Sequence, residues 1–197
     1  DDVCCQASRM EVIRRYYRAM NKLAKGDDTE NEVYKIELLM KQAKVTTDDR
    51  AVTVAAKKRA ELLGVPTAAI ELADGRVITG KTSDLLGASA AATLNAIKAL
   101  AGIDHKKHII KPEAIKPIQE LKTKYLGSKN PRLHTDEVLL ALSLSASADS
   151  DAQAALSKLS ELRDCEIHST VLLSAADEKT FKSLGLRLTC EPKNGRK

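Results

Sequence analysis

Residues 67–79 read TAAIELADGRVIT, and this stretch sets the architecture that the rest of the chain must accommodate. Residues 67–72 have the composition of a strand, and Asp74-Gly75 is a strong turn signal. Residues 76–79 are mostly β-branched and alternate in character, which favours a second strand. The sequence therefore predicts a β-hairpin, and the segments on either side of it determine the fold class.

The segment before the hairpin shows only helical patterns. Apolar residues spaced by three or four predict a helix over residues 3–25, which Gly26 ends. Thr29 and Glu32 have the spacing of a capping box, which predicts a second helix to about residue 44. A third helix is predicted over residues 47–63. Residues 1–64 are therefore predicted to be a helical segment.

After the hairpin, helices and strands alternate. The small residues of an Ala-rich helix predicted over residues 83–101 would let it lie close to a sheet. Four helices are predicted over residues 112–126, 135–144 and 151–162 and from Ser174, and two strands over residues 167–173 and 186–190. The fold class is thus α/β (α+β). A helical segment is followed by a mixed α/β domain, residues 65–197, whose sheet of about four strands is covered by helices.

Composition places the chain among globular proteins. It has 197 residues, 43% of them hydrophobic, and lacks the apolar run of about 20 residues that a membrane-spanning helix needs. Residues 1–5 have neither the basic start nor the apolar middle of a signal peptide. The four cysteines are read as reduced thiols, because a chain of this size can build a core without disulfides. We therefore expect a cytoplasmic protein, and we expect this chain to be the C-terminal part of a longer one.

The net charge of +5 raises the question of nucleic acid. Much of the excess lies in two basic stretches, residues 106–111 and 193–197, whereas the other Lys and Arg residues alternate with Asp and Glu along helices. Aromatic residues, on which single-stranded bases stack, amount to four Tyr and one Phe. The sequence therefore argues against nucleic acid as a partner.

Residues 75–82 read GRVITGKT and match the phosphate-loop pattern G-x-x-x-x-G-K-[ST] between a predicted strand and a predicted helix. The β-branched interior prefers an extended strand, so we favour the hairpin over a nucleotide-binding loop. A weaker anion site is also predicted, because Gly80, Lys81, Thr82 and Ser83 would stand where the next helix begins. The alternative is that Thr82 or Ser83 simply caps that helix.

A second polar cluster lies at residues 132–137, at a predicted loop-to-helix junction. His134, with Asp136 or Glu137, could perform acid–base chemistry, and Arg132 could contact an anion. The alternative is an ordinary helix start with Thr135 as its cap and acidic residues in the first turn. These are the candidate catalytic residues of the chain.

Two His and Cys spacings were weighed as metal sites, and neither predicts one. His105 and His108 lie in a basic loop whose lysines would repel a cation. Cys165 and His168 lie on or next to a predicted strand, where positions three apart point to opposite faces. We interpret these cysteines as structural thiols and predict no metal site.

Several stretches, in order along the chain, resemble one family. They are DVC (2–4), IRRYY (13–17), KIELLM (35–40), DGR (74–76), TGKTS (79–83), LGASA (86–90), GS (127–128), NPRLHTDE (130–137), CE (165–166), HST (168–170) and LTCEP (188–192). They resemble the C-terminal region of the domain-of-unknown-function family number 1846. The resemblance implies a longer protein with an N-terminal α/β portion that carries its own Gly-Ser-Gly-Lys loop. It supplies no established catalytic residues.

Two functions follow from these observations. The first is a support domain that packs on the N-terminal part of the same protein, forms homo-oligomers and lends Lys81, Thr82, Ser83, Arg132 and His134 to a shared anion-binding cleft. The second is an independent nucleotide- or phosphate-binding enzyme domain that uses residues 75–82. The residues of this chain predict no cofactor, while the resemblance raises ATP and Mg²⁺ for the full-length protein. Whether the chain is an enzyme stays open.

Overall fold

The computed structural model describes residues 2–193, which form eight α-helices and one four-stranded sheet. The helices are α1 (Asp2–Ala24), α2 (Glu30–Ala43), α3 (Ala51–Leu63), α4 (Ala88–Leu100), α5 (Pro112–Glu120), α6 (Thr135–Ser145), α7 (Ser150–Ser157) and α8 (Ala175–Leu184). The strands are β1 (Thr67–Glu71), β2 (Val77–Lys81), β3 (Glu166–Ser169) and β4 (Arg187–Cys190). The predicted α/β class with a mixed sheet of four strands is confirmed.

The strand order is β2-β1-β3-β4. Strand β1 pairs antiparallel with both β2 and β3, whereas β3 and β4 are parallel and connected through α8. Adjacent residues of β1 face opposite sides of the sheet. Ala68 and Ile70 belong to the main apolar core with α4, and Ala69 packs against Val52 and Ala56 at α3. The sheet is therefore covered by helices on both faces.

The phosphate-loop-like string of residues 75–82 forms the predicted β-hairpin. Gly75 has a φ of +83°, and the Asp74 carboxylate accepts a hydrogen bond from the Arg76 backbone N–H at 3.0 Å. The register pairs Ile70 with Ile78 and Ala68 with Gly80, so β2 continues through Lys81. This extended conformation cannot curve around a phosphate. The second hypothesis, nucleotide binding through this string, loses its geometric basis.

Gly80 is the closest point of contact between the sheet and α4. A Cβ atom at this position would overlap the backbone of Ala91 and Ala92. The Asn95 side-chain amide also donates a hydrogen bond to the Thr79 carbonyl at 2.9 Å. The absence of a side chain at Gly80 is therefore a packing requirement.

The start of α4 was predicted wrongly, because the helix begins at Ala88 rather than at Ser83. The Ser83 hydroxyl accepts hydrogen bonds from the backbone N–H groups of Leu85 and Leu86, which holds residues 83–86 in a turn. Leu86 then forms an isolated parallel bridge with Leu133. The helix start that was expected to attract an anion at residues 80–83 is consequently not there.

Other local expectations had mixed outcomes. Ser174 caps α8 as predicted, since its hydroxyl accepts from the Asp177 backbone N–H. Thr29 does not complete a capping box, because its hydroxyl donates to the Ala19 carbonyl instead. Thr135 is the first residue of α6, and His134 precedes it as the N-cap. All four cysteines are free thiols.

Residues 1–64 do not behave as one packing unit. Helices α1 and α2 share a small apolar cluster of their own, whereas α3 packs on the sheet. The division of the chain at residue 64 stays a prediction. Within residues 2–193 no helix is long and apolar enough to cross a membrane. Arg196 and Lys197 of the basic end lie outside the described residues.

The contact at Gly80 predicts that Gly80→Ala destabilises the fold. The methyl group must push α4 away from β2, and overpacking of this kind costs about 3 kcal/mol. The free energy of unfolding, measured by urea denaturation, reports this loss. Gly87→Ala is the matched control, because a Cβ there meets nothing closer than 3.6 Å and should cost less than about 1 kcal/mol. Equal stability of the two variants would contradict the packing role of Gly80.

Candidate functional site

Three loops meet beyond the carboxyl ends of β2 and β3. They are residues 82–87 after β2, residues 128–134 before α6 and residues 170–174 after β3. The Arg132 Nε atom donates to the Ser83 carbonyl at 2.8 Å, and the Ser174 hydroxyl lies 3.3 Å from His134 Nδ1. In α/β sheets, ligands commonly bind where strands end and helices begin, so this is the first place to look for a site.

His134 is held in place by Asp177, a buried carboxylate in the first turn of α8. His134 Nδ1 lies 3.0 Å from Asp177 Oδ2, which also accepts a hydrogen bond from the Ser174 hydroxyl at 2.8 Å. The other carboxylate oxygen accepts from the Thr135 backbone N–H at 2.9 Å and from the Thr135 hydroxyl at 2.7 Å. The starts of α6 and α8 are thereby joined through one carboxylate.

This environment shifts the pKa values of both partners. Burial raises the pKa of Asp177, but the hydrogen bonds from His134, Thr135 and Ser174 outweigh it and lower the value to about 2. The hydrogen bond with Asp177 raises the pKa of His134 above 6.5, and burial opposes this only in part. The ionised carboxylate keeps a proton on Nδ1, so the titrating proton is the one on Nε2. His134 thus holds a positive charge to a higher pH than a free histidine.

Arg132 and His134 flank Leu133, which is fully buried and bridges to Leu86. Only Nε of the exposed Arg132 guanidinium makes a hydrogen bond within residues 2–193. The other guanidinium nitrogens of Arg132 and the Nε2 atom of His134 are therefore left as donors for a ligand.

Lys122 and Glu137 support this segment from behind. The buried Lys122 ammonium donates to the Arg132 carbonyl and to Glu137 Oε2, both at 2.7 Å. The same Glu137 oxygen accepts from the His134 backbone N–H at 2.7 Å. Of the predicted catalytic acids, Glu137 is therefore already bound as a helix-start partner, and Asp136 is exposed. The acid that contacts His134 is Asp177, which lies in the first turn of the helix predicted from Ser174.

The predicted anion-binding residues before α4 occupy different environments. Gly80 is buried under α4, and Lys81 is exposed at the end of β2. The backbone N–H groups of Thr82 and Ser83 already donate to the carbonyls of Pro66 and Leu86. These residues do not form a cradle that fits ATP with Mg²⁺. The Lys81 ammonium and the hydroxyl groups of Thr82 and Ser83 remain as donors from this group.

The Ser174, His134 and Asp177 side chains do not form a nucleophilic triad. A triad needs the serine on one ring nitrogen and the carboxylate on the other. Here both the hydroxyl and the carboxylate approach Nδ1, and the hydroxyl donates to Asp177 itself. Acyl transfer through Ser174 is therefore not what this geometry supports.

The residues weighed as metal ligands have other partners. Cys165 Sγ contacts the Glu161 carbonyl at 3.5 Å, and His168 Nδ1 lies 2.9 Å from the Thr189 hydroxyl. Within the part of the chain that the structure describes, no three His, Cys, Asp or Glu side chains are grouped to hold a metal ion.

Comparison with known families identifies the chain. Residues 48–197 match the model described as "Domain of unknown function DUF1846, C-terminal", and residues 1–44 match its N-terminal counterpart. The chain belongs to this family of uncharacterised proteins, which confirms the resemblance seen in its motifs.

Relatives from two bacterial genera match 98–100% of the chain. It is 48% identical over 197 residues to a UPF0371 protein of Corynebacterium urealyticum and 49% identical over 198 residues to one of Corynebacterium glutamicum. A UPF0371 protein of Streptococcus pyogenes serotype M5 is 46% identical over 192 residues, or 98% of this chain. The chain spans only 39–40% of the length of these relatives.

The contacts of Asp177 predict that Asp177→Asn lowers both the free energy of unfolding and the pKa of His134. Loss of the charged acceptor should lower the pKa of His134 and cost about 3 kcal/mol near neutral pH. Because the pKa of Asp177 is lowered, its contribution is lost as pH falls from 3.8 towards about 2. The contribution of His134 has the opposite sign and is lost as pH rises through its raised pKa.

Proton NMR titration of the histidine rings and urea denaturation measure these two effects. Asp136→Asn serves as the control, because Asp136 is an exposed acid in the first turn of α6, two residues from His134. An unchanged His134 titration in Asp177→Asn would show that Asp177 does not set the pKa.

Proposed function

We propose that this chain is a support domain that supplies one wall of an anion-binding cleft, with Arg132 and His134 as its contacts. The observation that carries the proposal is the fixed His134 imidazole, two residues along the chain from Arg132, with its Nδ1 atom bound to a buried carboxylate. Lys81, exposed at the end of β2, adds positive charge at the carboxyl ends of β2 and β3.

The ligand class follows from the donors. A planar guanidinium and an imidazolium two residues apart in extended chain have Cα atoms about 7 Å from each other. Both are charge-assisted donors, and together they suit an ion with several acceptor oxygens, such as a phosphate group. A carboxylate is the weaker fit because it offers only two oxygens.

The cleft is proposed to be shared with the N-terminal portion of the longer protein. The relatives are about two and a half times as long as this chain, since it covers 40% of their length. Proton donation from His134 Nε2 to a bound anion is the acid–base step that these residues support. A nucleophile for that step would have to come from the other wall of the cleft or from the ligand.

The test is titration of the 197-residue chain with inorganic phosphate, followed by NMR chemical shifts. We expect Arg132→Ala and His134→Ala each to weaken binding about tenfold or more, because each removes a charge-assisted contact. Arg187→Ala is the matched control, since this exposed arginine lies at the opposite edge of the sheet and pairs with Asp164. An equal loss of phosphate binding in Arg187→Ala would show that binding depends on the overall charge of the chain and not on this site.

A pH series with sulfate, whose charge stays constant, should show weaker binding as pH rises through the pKa of His134. Saturable binding that is indifferent to pH would remove His134 from the site.

The oligomerising part of this role is proposed to use α6. Leu140 and Leu144 lie one turn apart on this helix and are 65% and 74% exposed. Sedimentation of the chain should show a dimer or larger species that Leu140→Glu and Leu144→Glu convert to monomer. Leu62→Glu, on α3 and equally exposed at 74%, should leave the species unchanged. A monomeric parent chain would contradict this part of the proposal.

A further inference from the structure

Helix α1 is attached to the sheet by polar contacts. Arg14 Nη1 bonds Glu166 Oε1 at 2.5 Å, and the Tyr17 hydroxyl donates to Glu191 at 2.9 Å. Asn21 Nδ2 donates to the Cys190 carbonyl at 3.1 Å. The apolar cluster of α1 and α2 is separate from the main core, so little hydrophobic burial reinforces this contact. We define this set of contacts as the α1 joint.

His168 lies at the centre of the α1 joint. Its side chain is fully buried on β3, and its ring centroid is 5.0 Å from that of Tyr17. The Thr189 hydroxyl contacts Nδ1 at 2.9 Å. Nε2 lies 3.3 Å from Glu191 Oε1 but is not aligned for a hydrogen bond. The ring is thus enclosed with one good hydrogen bond.

The charged groups around His168 come from every element packed against it. They are Arg14 and the Tyr17 hydroxyl on α1, Arg50 before α3, Lys57 on α3, Glu166 on β3 and Glu191 after β4. Glu71 on β1 and Arg187 on β4 are the neighbours of Glu166 in the strand register. The carboxylates of Glu166 and Glu191 already have partners. Glu166 bonds Arg14 and Arg50, and Glu191 bonds Lys57 and Tyr17. Apart from Glu71 and Arg187, which lie at the edge of this group, a proton on His168 would add a fourth positive charge to three cations and two carboxylates.

We propose that the α1 joint is acid-sensitive, and that protonation of His168 releases α1 from the sheet. Helices α1 and α2 lie in the region matched by the N-terminal family model, and His168 lies in the region matched by the C-terminal one. The joint therefore connects the two conserved regions of this family, and its release changes their relative position. Polar interfaces of this kind separate more readily than apolar ones.

The direction of the pH effect is fixed by the environment. Burial, together with Arg50 and Lys57, lowers the pKa of His168 below 6.5 in spite of Glu191. Stability from a neutral His168 is complete above pH 6.5 and is lost as pH falls towards the lowered value. Burial raises the pKa of Glu191, but His168, Lys57 and Tyr17 bring it down to about 2, so the stability that Glu191 contributes is constant above pH 4.5 and is lost only below it. Between these limits the response belongs to His168.

Hydrogen exchange of the 197-residue chain, followed by mass spectrometry at several pH values, tests the proposal. After correction for intrinsic exchange, the opening of α1 should increase up to about tenfold per pH unit below about pH 6.5. His168→Gln should remove this dependence, and His105→Gln, which changes a histidine with a 79% exposed side chain, should retain it. A flat response in the parent chain, or the same response in His168→Gln, overturns the proposal.

A second measurement keeps the test decisive if His168→Gln does not fold. Proton NMR of the parent chain follows the His168 ring directly. The proposal requires that His168 titrate below 6.5 and that the shifts of α1 residues change with the same midpoint. A His168 ring that titrates at 6.5 or above overturns it.

Discussion

Because Gly80 has no side chain, the backbone of α4 lies directly against β2. Residues 82–87 connect this strand to this helix, and within them Leu86 bridges to Leu133 while the Ser83 carbonyl accepts a hydrogen bond from Arg132. One side of the candidate site is therefore built on the connection between the two closely packed elements.

The sequence was informative where the decisive interactions are local. The turn at Asp74-Gly75, the helix start at Ser174 and the helix end at residue 63 depend on neighbouring residues, and each is predicted. The start of α4 was wrong because the hydroxyl of Ser83 binds the following N–H groups in a turn rather than in a helix. Cap patterns alone do not distinguish these two uses of a serine.

Only part of the candidate site could be predicted from the sequence, because its decisive contact is not local. His134 and Arg132 stand in a recognisable polar cluster, but Asp177 is 43 residues away from His134. No pattern within a short window links an N-terminal turn of one helix to that of another. The buried Arg50, likewise, gave no signal, because its partners Glu166 and Thr189 lie more than a hundred residues later.

The two histidines that matter most have opposite environments. His134 is half-buried, and its hydrogen bond with the Asp177 carboxylate outweighs burial and the nearby Lys122, so charge is favoured there. His168 is fully buried among cations that have already taken the carboxylates, so charge is disfavoured. The pKa of a histidine is thus raised at position 134 and lowered at position 168.

In the described sheet, whose order is β2-β1-β3-β4, strand β1 is antiparallel to both of its neighbours. Strands β2 and β4 form the two edges of the sheet. Both edges are only four or five residues long and carry a charged residue, Lys81 or Arg187. Short, charged edges resist pairing with another chain, because extra strands would have to bury those charges. A chain with this sheet is protected against edge-to-edge aggregation while its helices remain free to make contacts.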